Sequence, residues 1–173
     1  IDGEGVRRGI FFENGNGPSS LTGFTIQNCY ATPIQWGSSE YELGAGLYIG
    51  NSEMYVEQCI FDNNVAAGQY GWGGGVWAQD SESATFHQCI FTNNTALNDG
   101  AGAFFFFSTF DVNGCDFESN SASEGGGDNI TSRHFIAHLD QRALVDAGVL
   151  VRALELQQIV NIHATDRQVG LFC

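Results

Sequence analysis

The chain contains no lysine, and its six Lys-plus-Arg positions, all arginine, face 20 acidic residues for a net charge of −14. So few cations exclude nucleic acid and anionic membrane surfaces as partners, since both are held by clustered Lys and Arg that release condensed counterions. No apolar run approaches the ~18 residues that a membrane-spanning helix needs, so no membrane insertion is expected. Proline is limited to Pro18 and Pro33, and methionine to Met54. Five cysteines are present, none arranged as Cys-x-x-Cys, so no metal centre can be drawn from them. No cofactor is expected; calcium suits an acidic surface, but no site for it is defined.

What is abundant is glycine, with 23 residues, and phenylalanine, with 14, in a chain that is 43% hydrophobic and long enough to bury a core. Cysteine recurs in similar company at Cys29, Cys59, Cys89 and Cys115. The last three head one pattern, Cys-x-Phe-x-x-Asn-x-Ala, which contains Phe61, Phe91 and Phe117 and then Asn64, Asn94 and Asn120. Apolar residues stand five and three positions before each cysteine: Phe24 and Ile26, Met54 and Val56, Ala84 and Phe86, Phe110 and Val112. Polar residues alternate with them, which is the period of a strand with one buried face. Glycine clusters punctuate the units at 44–46, 73–75, 100–102 and 125–127.

A repeat of this length is one unit whose apolar face needs a neighbouring copy to cover it. The economical architecture is all-β, a parallel β-helix of about four to five coils over residues 1–127, with equivalent residues stacked about 4.8 Å apart. A propeller or sandwich is the alternative. Stacking predicts ladders: an inward column of Cys29, Cys59, Cys89 and Cys115, another of Phe61, Phe91 and Phe117, and a turn column of Asn64, Asn94 and Asn120. Inward cysteines read as structural thiols, with disulfides between coils as the other reading.

The motifs Phe61-Asp62-Asn63-Asn64, Phe91-Thr92-Asn93-Asn94 and Phe117-Glu118-Ser119-Asn120, together with Gly73-Gly74-Gly75-Val76, resemble the repeats of the polymorphic outer membrane protein family. Those are surface-exposed β-helical adhesins and autotransporter passengers. The opening Ile1-Asp2-Gly3-Glu4-Gly5-Val6-Arg7-Arg8 also looks like an early coil of secreted β-helix proteins. The resemblance covers about residues 1–127. It implies a right-handed β-helix of the pectin-lyase-like superfamily, secreted or displayed at a cell surface. The first unit departs from the pattern, because Cys29 is followed by an insertion to about Tyr41, read as an irregular turn or a functional outgrowth.

Beyond the repeats, residues 128–173 carry a different charge balance and a helical period over about 133–160. This C-terminal tail is expected to be α-helical, capping the open end of the stack or pairing with a second copy as a homo-oligomer.

For function, the outward positions after the glycine clusters are aromatic: Tyr48, Trp77 and Phe104, reinforced by Phe106. Such a column is expected to offer a flat lateral platform to a glycan or a protein surface, unless the 30–41 segment or the tail covers it as a second core. The reading preferred is therefore a non-enzymatic, adhesin-like or structural binding module. The alternatives are a polysaccharide lyase or inverting glycoside hydrolase, and a structural protein that self-assembles through its coil ends. A lyase wants a basic residue on the central face, which the repeats do not supply. Hydrolysis wants two facing carboxylates, for which Asp62 and Glu118 are the weak candidates. Glu57 with His87 on the next coil is another conceivable acid–base pair.

Overall fold

The computed structural model describes residues 1–122 and 130–132. Its strands form parallel ladders between successive coils. The first lateral sheet stacks Ile10–Glu13, Leu47–Gly50, Val76–Gln79, Ala103–Phe106 and Ile130–Ser132. The second stacks Ser19–Thr22, Met54–Glu57, Ala84–His87 and Phe110–Asn113, and the third Thr25–Gln27, Ile60–Asp62, Ile90–Thr92 and Asp116–Glu118. A narrow fourth ladder joins Val65–Ala66, Thr95–Ala96 and Ser121–Ala122. The chain therefore winds through four coils and starts a fifth, the ladder continuing past residue 127 to Ser132. The helical tail expected over 133–160, with the pairing role assigned to it, lies outside the described residues.

Corners between sheets are made by single residues in the left-handed region. Asn28, Asn63, Asn93 and Ser119 stack at one corner with φ of 50°, 52°, 54° and 56°. Asn14, Asn51, Asp80 and Phe107 stack at another with φ of 55°, 45°, 49° and 49°. Asn and Asp tolerate this conformation because their short polar side chains bond locally. Phe107 has no such excuse. At the glycine clusters the constraint is close approach instead: a Cβ on Gly46 or Gly75 would lie 2.5 Å or 2.4 Å from the carbonyl oxygen of Gly75 or Gly102 on the next coil.

The interior is a continuous apolar column. Phe61, Phe91 and Phe117 stack in register, with ring centroids 5.0 Å and 4.4 Å apart. Beside them the buried asparagines form an amide ladder. Asn64 Nδ2 donates to Asn94 Oδ1 at 2.9 Å, and Asn94 Nδ2 donates to Asn120 Oδ1 at 2.9 Å. Each amide also donates to a carbonyl one coil back, Ile26, Phe61 and Phe91 respectively.

Cys29 does not belong to the cysteine column. Thr25 pairs with Ile60 and Ile26 with Phe61, so the residue level with Cys59 is Phe24, and Cys29 is level with Asn64. The hydrogen bonding agrees: Cys29 N donates to Asn64 Oδ1 at 3.1 Å, as Asn64 N does to Asn94 Oδ1. Likewise Ser19 and Leu21, not Phe24 and Ile26, pair with Met54 and Val56. The physical reason is that the coil from Ile10 to Leu47 carries an extra hairpin, so the 30-residue recurrence of Cys29 is not a coil step. The column proper is Cys59, Cys89 and Cys115, all buried free thiols. Their sulfurs donate to the carbonyls of Leu21, Val56 and Phe86 on the preceding coil; burial pushes the Cys59 thiol up, and the hydrogen bond with Cys115 first and then burial push the Cys89 thiol up.

Candidate functional site

The insertion after Cys29 is an antiparallel hairpin of Ile34–Trp36 and Ser39–Leu43, and Ser39–Leu43 pairs in parallel with Gly71–Trp72 of the next coil. These three strands form a flap beside the first sheet. Leu43 packs with Tyr48, Trp77 and Phe104 in a second apolar cluster, against which Ile34, Tyr41, Trp72 and Phe106 lie half-buried. Tyr48 and Trp77 are only 3% exposed and Phe104 only 6%. The expectation of an open aromatic platform is corrected accordingly: these three side chains do point out of the first sheet, but a second layer covers them.

The outward column holds four aromatic residues, Phe11, Tyr48, Trp77 and Phe104, in strand register. Phe11 lies parallel on Tyr48 at 4.5 Å and Trp77 on Phe104 at 4.7 Å. The layer is closed in its middle and open at its borders. Phe11, at the first coil, is 50% exposed, and Trp36, at the hairpin turn, is 47% exposed and meets Phe106 edge-on at 6.3 Å. Neither Phe11 nor Trp36 was evident from the sequence, because Phe11 precedes the first glycine cluster and Trp36 sits in the insertion. The signal that could have found Phe11 is the alternation Ile10-Phe11-Phe12-Glu13, which pairs with Leu47-Tyr48-Ile49-Gly50.

Arg8 fastens flap to coil. Its Nε donates to the Leu43 and Gly44 carbonyls at 3.2 and 3.1 Å, Nη1 to Thr32 Oγ1 at 3.1 Å, and Nη2 to the Thr32 carbonyl at 2.6 Å. The guanidinium also sits 5.5 Å from the Phe11 ring centre and 6.0 Å from that of Tyr48. Burial holds its pKa below the ordinary value. Beside it, Gly50 leaves room for the Tyr48 phenol: a Cβ there would lie 3.1 Å from Tyr48 Oη and 3.1 Å from Glu13 Cγ. Burial first, and then the Glu13 carboxylate, push the Tyr48 hydroxyl up to about 12.

The family of the fold follows from these ladders together with a sequence comparison: the family model described as a right-handed β-helix region matches residues 7–140. The chain belongs to the right-handed β-helix family. No curated protein and no solved structure gives a significant match.

The β-helix keeps its candidate catalytic carboxylates apart. Asp62 and Glu118 flank Thr92 in one outward column of the third sheet, two coils from each other, and Asp62 accepts a hydrogen bond from Asn93 Nδ2 at 3.0 Å. Two strand spacings place them roughly 10 Å apart at the backbone. On the second sheet, Glu57 and His87 do meet, with Oε1 3.2 Å from Nδ1 and both side chains about a third exposed. Such a contact holds the imidazole with Nδ1 toward the carboxylate and leaves Nε2 for solvent. Among the described residues no group of three or more His, Cys, Asp or Glu is placed to hold a metal ion.

Proposed function

We propose that this β-helix is a non-enzymatic binding module, secreted or displayed at a cell surface, that takes a glycan across the outer face of its first sheet. The observation that supports this most is the pair of exposed rings, Phe11 and Trp36, at the borders of an otherwise closed aromatic layer. Phe11 is held by its stack on Tyr48 and Trp36 by edge-on contacts with Tyr41 and Phe106, so each offers apolar ring surface at small entropic cost, which suits the faces of sugar rings. The exposed Glu13 carboxylate, on the same side of the strand as Phe11, supplies a polar group that can orient hydroxyls. Binding to a glycan array by the wild type, lost in Phe11→Ala and Trp36→Ala while reducing-sugar release stays at background, is the expected result. Unchanged binding in both variants would remove the face from consideration.

A second reading, a carbohydrate-active enzyme, draws its support from the Glu57–His87 contact. Release of reducing ends by the wild type that disappears in His87→Ala would favour it over the first.

A further inference from the structure

We infer that Asn93 is an acceptor for an N-linked oligosaccharide, attached before its coil closes, an inference that rests on the secreted or surface-displayed reading above. Asn93-Asn94-Thr95 carries the acceptor pattern, an asparagine with a hydroxyl residue two positions on. At Asn129-Ile130-Thr131 the pattern recurs, with its asparagine outside the described residues. The β-helix sorts the first triplet by side. Asn94 is buried in the amide ladder, whereas Asn93 and Thr95, on either side of it, are exposed. Asn93 stands at the corner between the third sheet and the narrow fourth ladder, with φ of 54°. Level with it on the preceding coils, Asn28 and Asn63 present the same amide in the same conformation, but Tyr30 and Val65 take the place of Thr95. The corner recurs from coil to coil, and the acceptor pattern falls on it at Asn93.

The donor is an oligosaccharide carried on a lipid pyrophosphate. The bond formed joins Asn93 Nδ2 to the anomeric carbon of N-acetylglucosamine. The bond broken is that carbon's link to the pyrophosphate oxygen, which leaves with the electron pair, while the amide gives up one proton. The folded corner accommodates the product. Asn93 Nδ2 donates to Asp62 Oδ1 at 3.0 Å with one of its two hydrogens, and a glycosylated amide keeps one hydrogen for that bond. A bulky, hydrated chain belongs on such an exposed position. The backbone, in contrast, is committed once the coils have stacked. Asn93 N donates to the Glu118 carbonyl at 3.1 Å, Asn94 N to Asn120 Oδ1 at 3.0 Å and Thr95 N to the Asn64 carbonyl at 2.8 Å. A transferase that must grip the chain around the asparagine therefore reaches it before residues 116–121 close over it, during synthesis or early folding.

The test expresses the whole chain behind a secretion signal in eukaryotic cells and maps its peptides by mass before and after enzymatic removal of N-linked glycans. Secreted wild type should carry an oligosaccharide on the peptide that holds Asn93, and the amidase that releases it should leave an aspartate at that position. Asn93→Gln and Thr95→Ala should each lose the modification, and Thr95→Ser should keep it. Thr95→Ala alters an exposed side chain and leaves Asn93 in its corner, so it decides the matter if the Asn93 variant does not fold. Folded chain made without the modification, then offered the transferase and its lipid-linked donor, should stay unmodified at Asn93. Modification of that folded chain would overturn the order of transfer and closure. Wild type that is secreted folded with Asn93 bare would overturn the inference and leave the secreted reading standing. Wild type that enters the compartment but neither folds there nor is released, while the same chain folds in a reducing cytosol, would overturn the secreted reading itself.

Discussion

Asn94 is fully buried, and its amide works across two coils: Oδ1 accepts from Asn64 N and Nδ2, while Nδ2 donates to the Phe61 carbonyl and to Asn120 Oδ1. Asn94→Ala strands at least the Asn64 N–H, and orphaned buried groups cost about 1–3 kcal/mol each, so a loss of about 3 kcal/mol or more is expected in urea unfolding. The register of the first coil has its own test. Cys29 occupies an asparagine position, so Cys29→Asn should cost clearly less than Cys59→Asn, which puts an amide among apolar side chains and should cost about 2–4 kcal/mol. Equal effects would mean that the two cysteines are equivalent after all. Tyr48 carries a pH dependence. Its hydroxyl titrates near 12 in the fold against an ordinary value of 10.0, so the unfolded chain gives up this proton first. The stabilisation is intact below pH 10 and is lost as pH rises from about 10 to 12. Tyr48→Phe should flatten that part of the alkaline unfolding curve.

The flap is the element that covers the outer face of the first sheet. Arg8 is its fastening, and Arg8→Ala would leave the Leu43 and Thr32 carbonyls without these donors. We expect amide hydrogen exchange at Glu42 and Gly44, which donate to Tyr70 and Trp72, to speed up about tenfold or more, as a local loss of 1–3 kcal/mol implies. Exchange at Phe61 and Phe91 should stay unchanged. How far the sequence could be read varies with the element. Met54-Tyr55-Val56-Glu57 and Ala84-Thr85-Phe86-His87 alternate cleanly, and their equal spacing from Phe61 and Phe91 makes the register of the second and third sheets visible without coordinates. The first coil was misread because Phe24-x-Ile26-x-x-Cys29 imitates the later units while lying five residues out of step, the hairpin having lengthened that coil. The aromatic column shows a different limit. Alternation places Tyr48, Trp77 and Phe104 on the outer side of a sheet, but it carries no information about whether another layer lies on top. Trp36, Tyr41 and Trp72, which form that layer or border it, belong to a stretch with too little periodicity to suggest strands.

At the scale of the molecule, each coil touches its two neighbours through the same ladders, so stability should be close to a sum over coils and the junctions between them. The units are also interchangeable where register is kept. Ile90 pairs with Asp116 and Ile60 with Ile90, which means that a second copy of residues 90–115 inserted after Cys115 meets Asp116 onward on one side, as its original does, and on the other meets the original itself, level with its like residues. The added coil would continue the thiol column, place one more ring between Phe91 and Phe117, and extend the amide ladder by one asparagine. It lies away from the flap, whose strands pair at Glu42 with Gly71 and Leu43 with Trp72. We expect the lengthened chain to fold cooperatively, with a urea m-value larger by about a fifth, in proportion to the surface newly buried. Removing Ile90 from the inserted copy alone is the matched control. A one-residue slip turns the inserted phenylalanine outward and a polar neighbour inward, so this variant should lose stability relative to the original length. If both lengthened chains unfold at the same denaturant concentration, the coils are not held by like residues meeting across layers, and the ladders do not govern the fold.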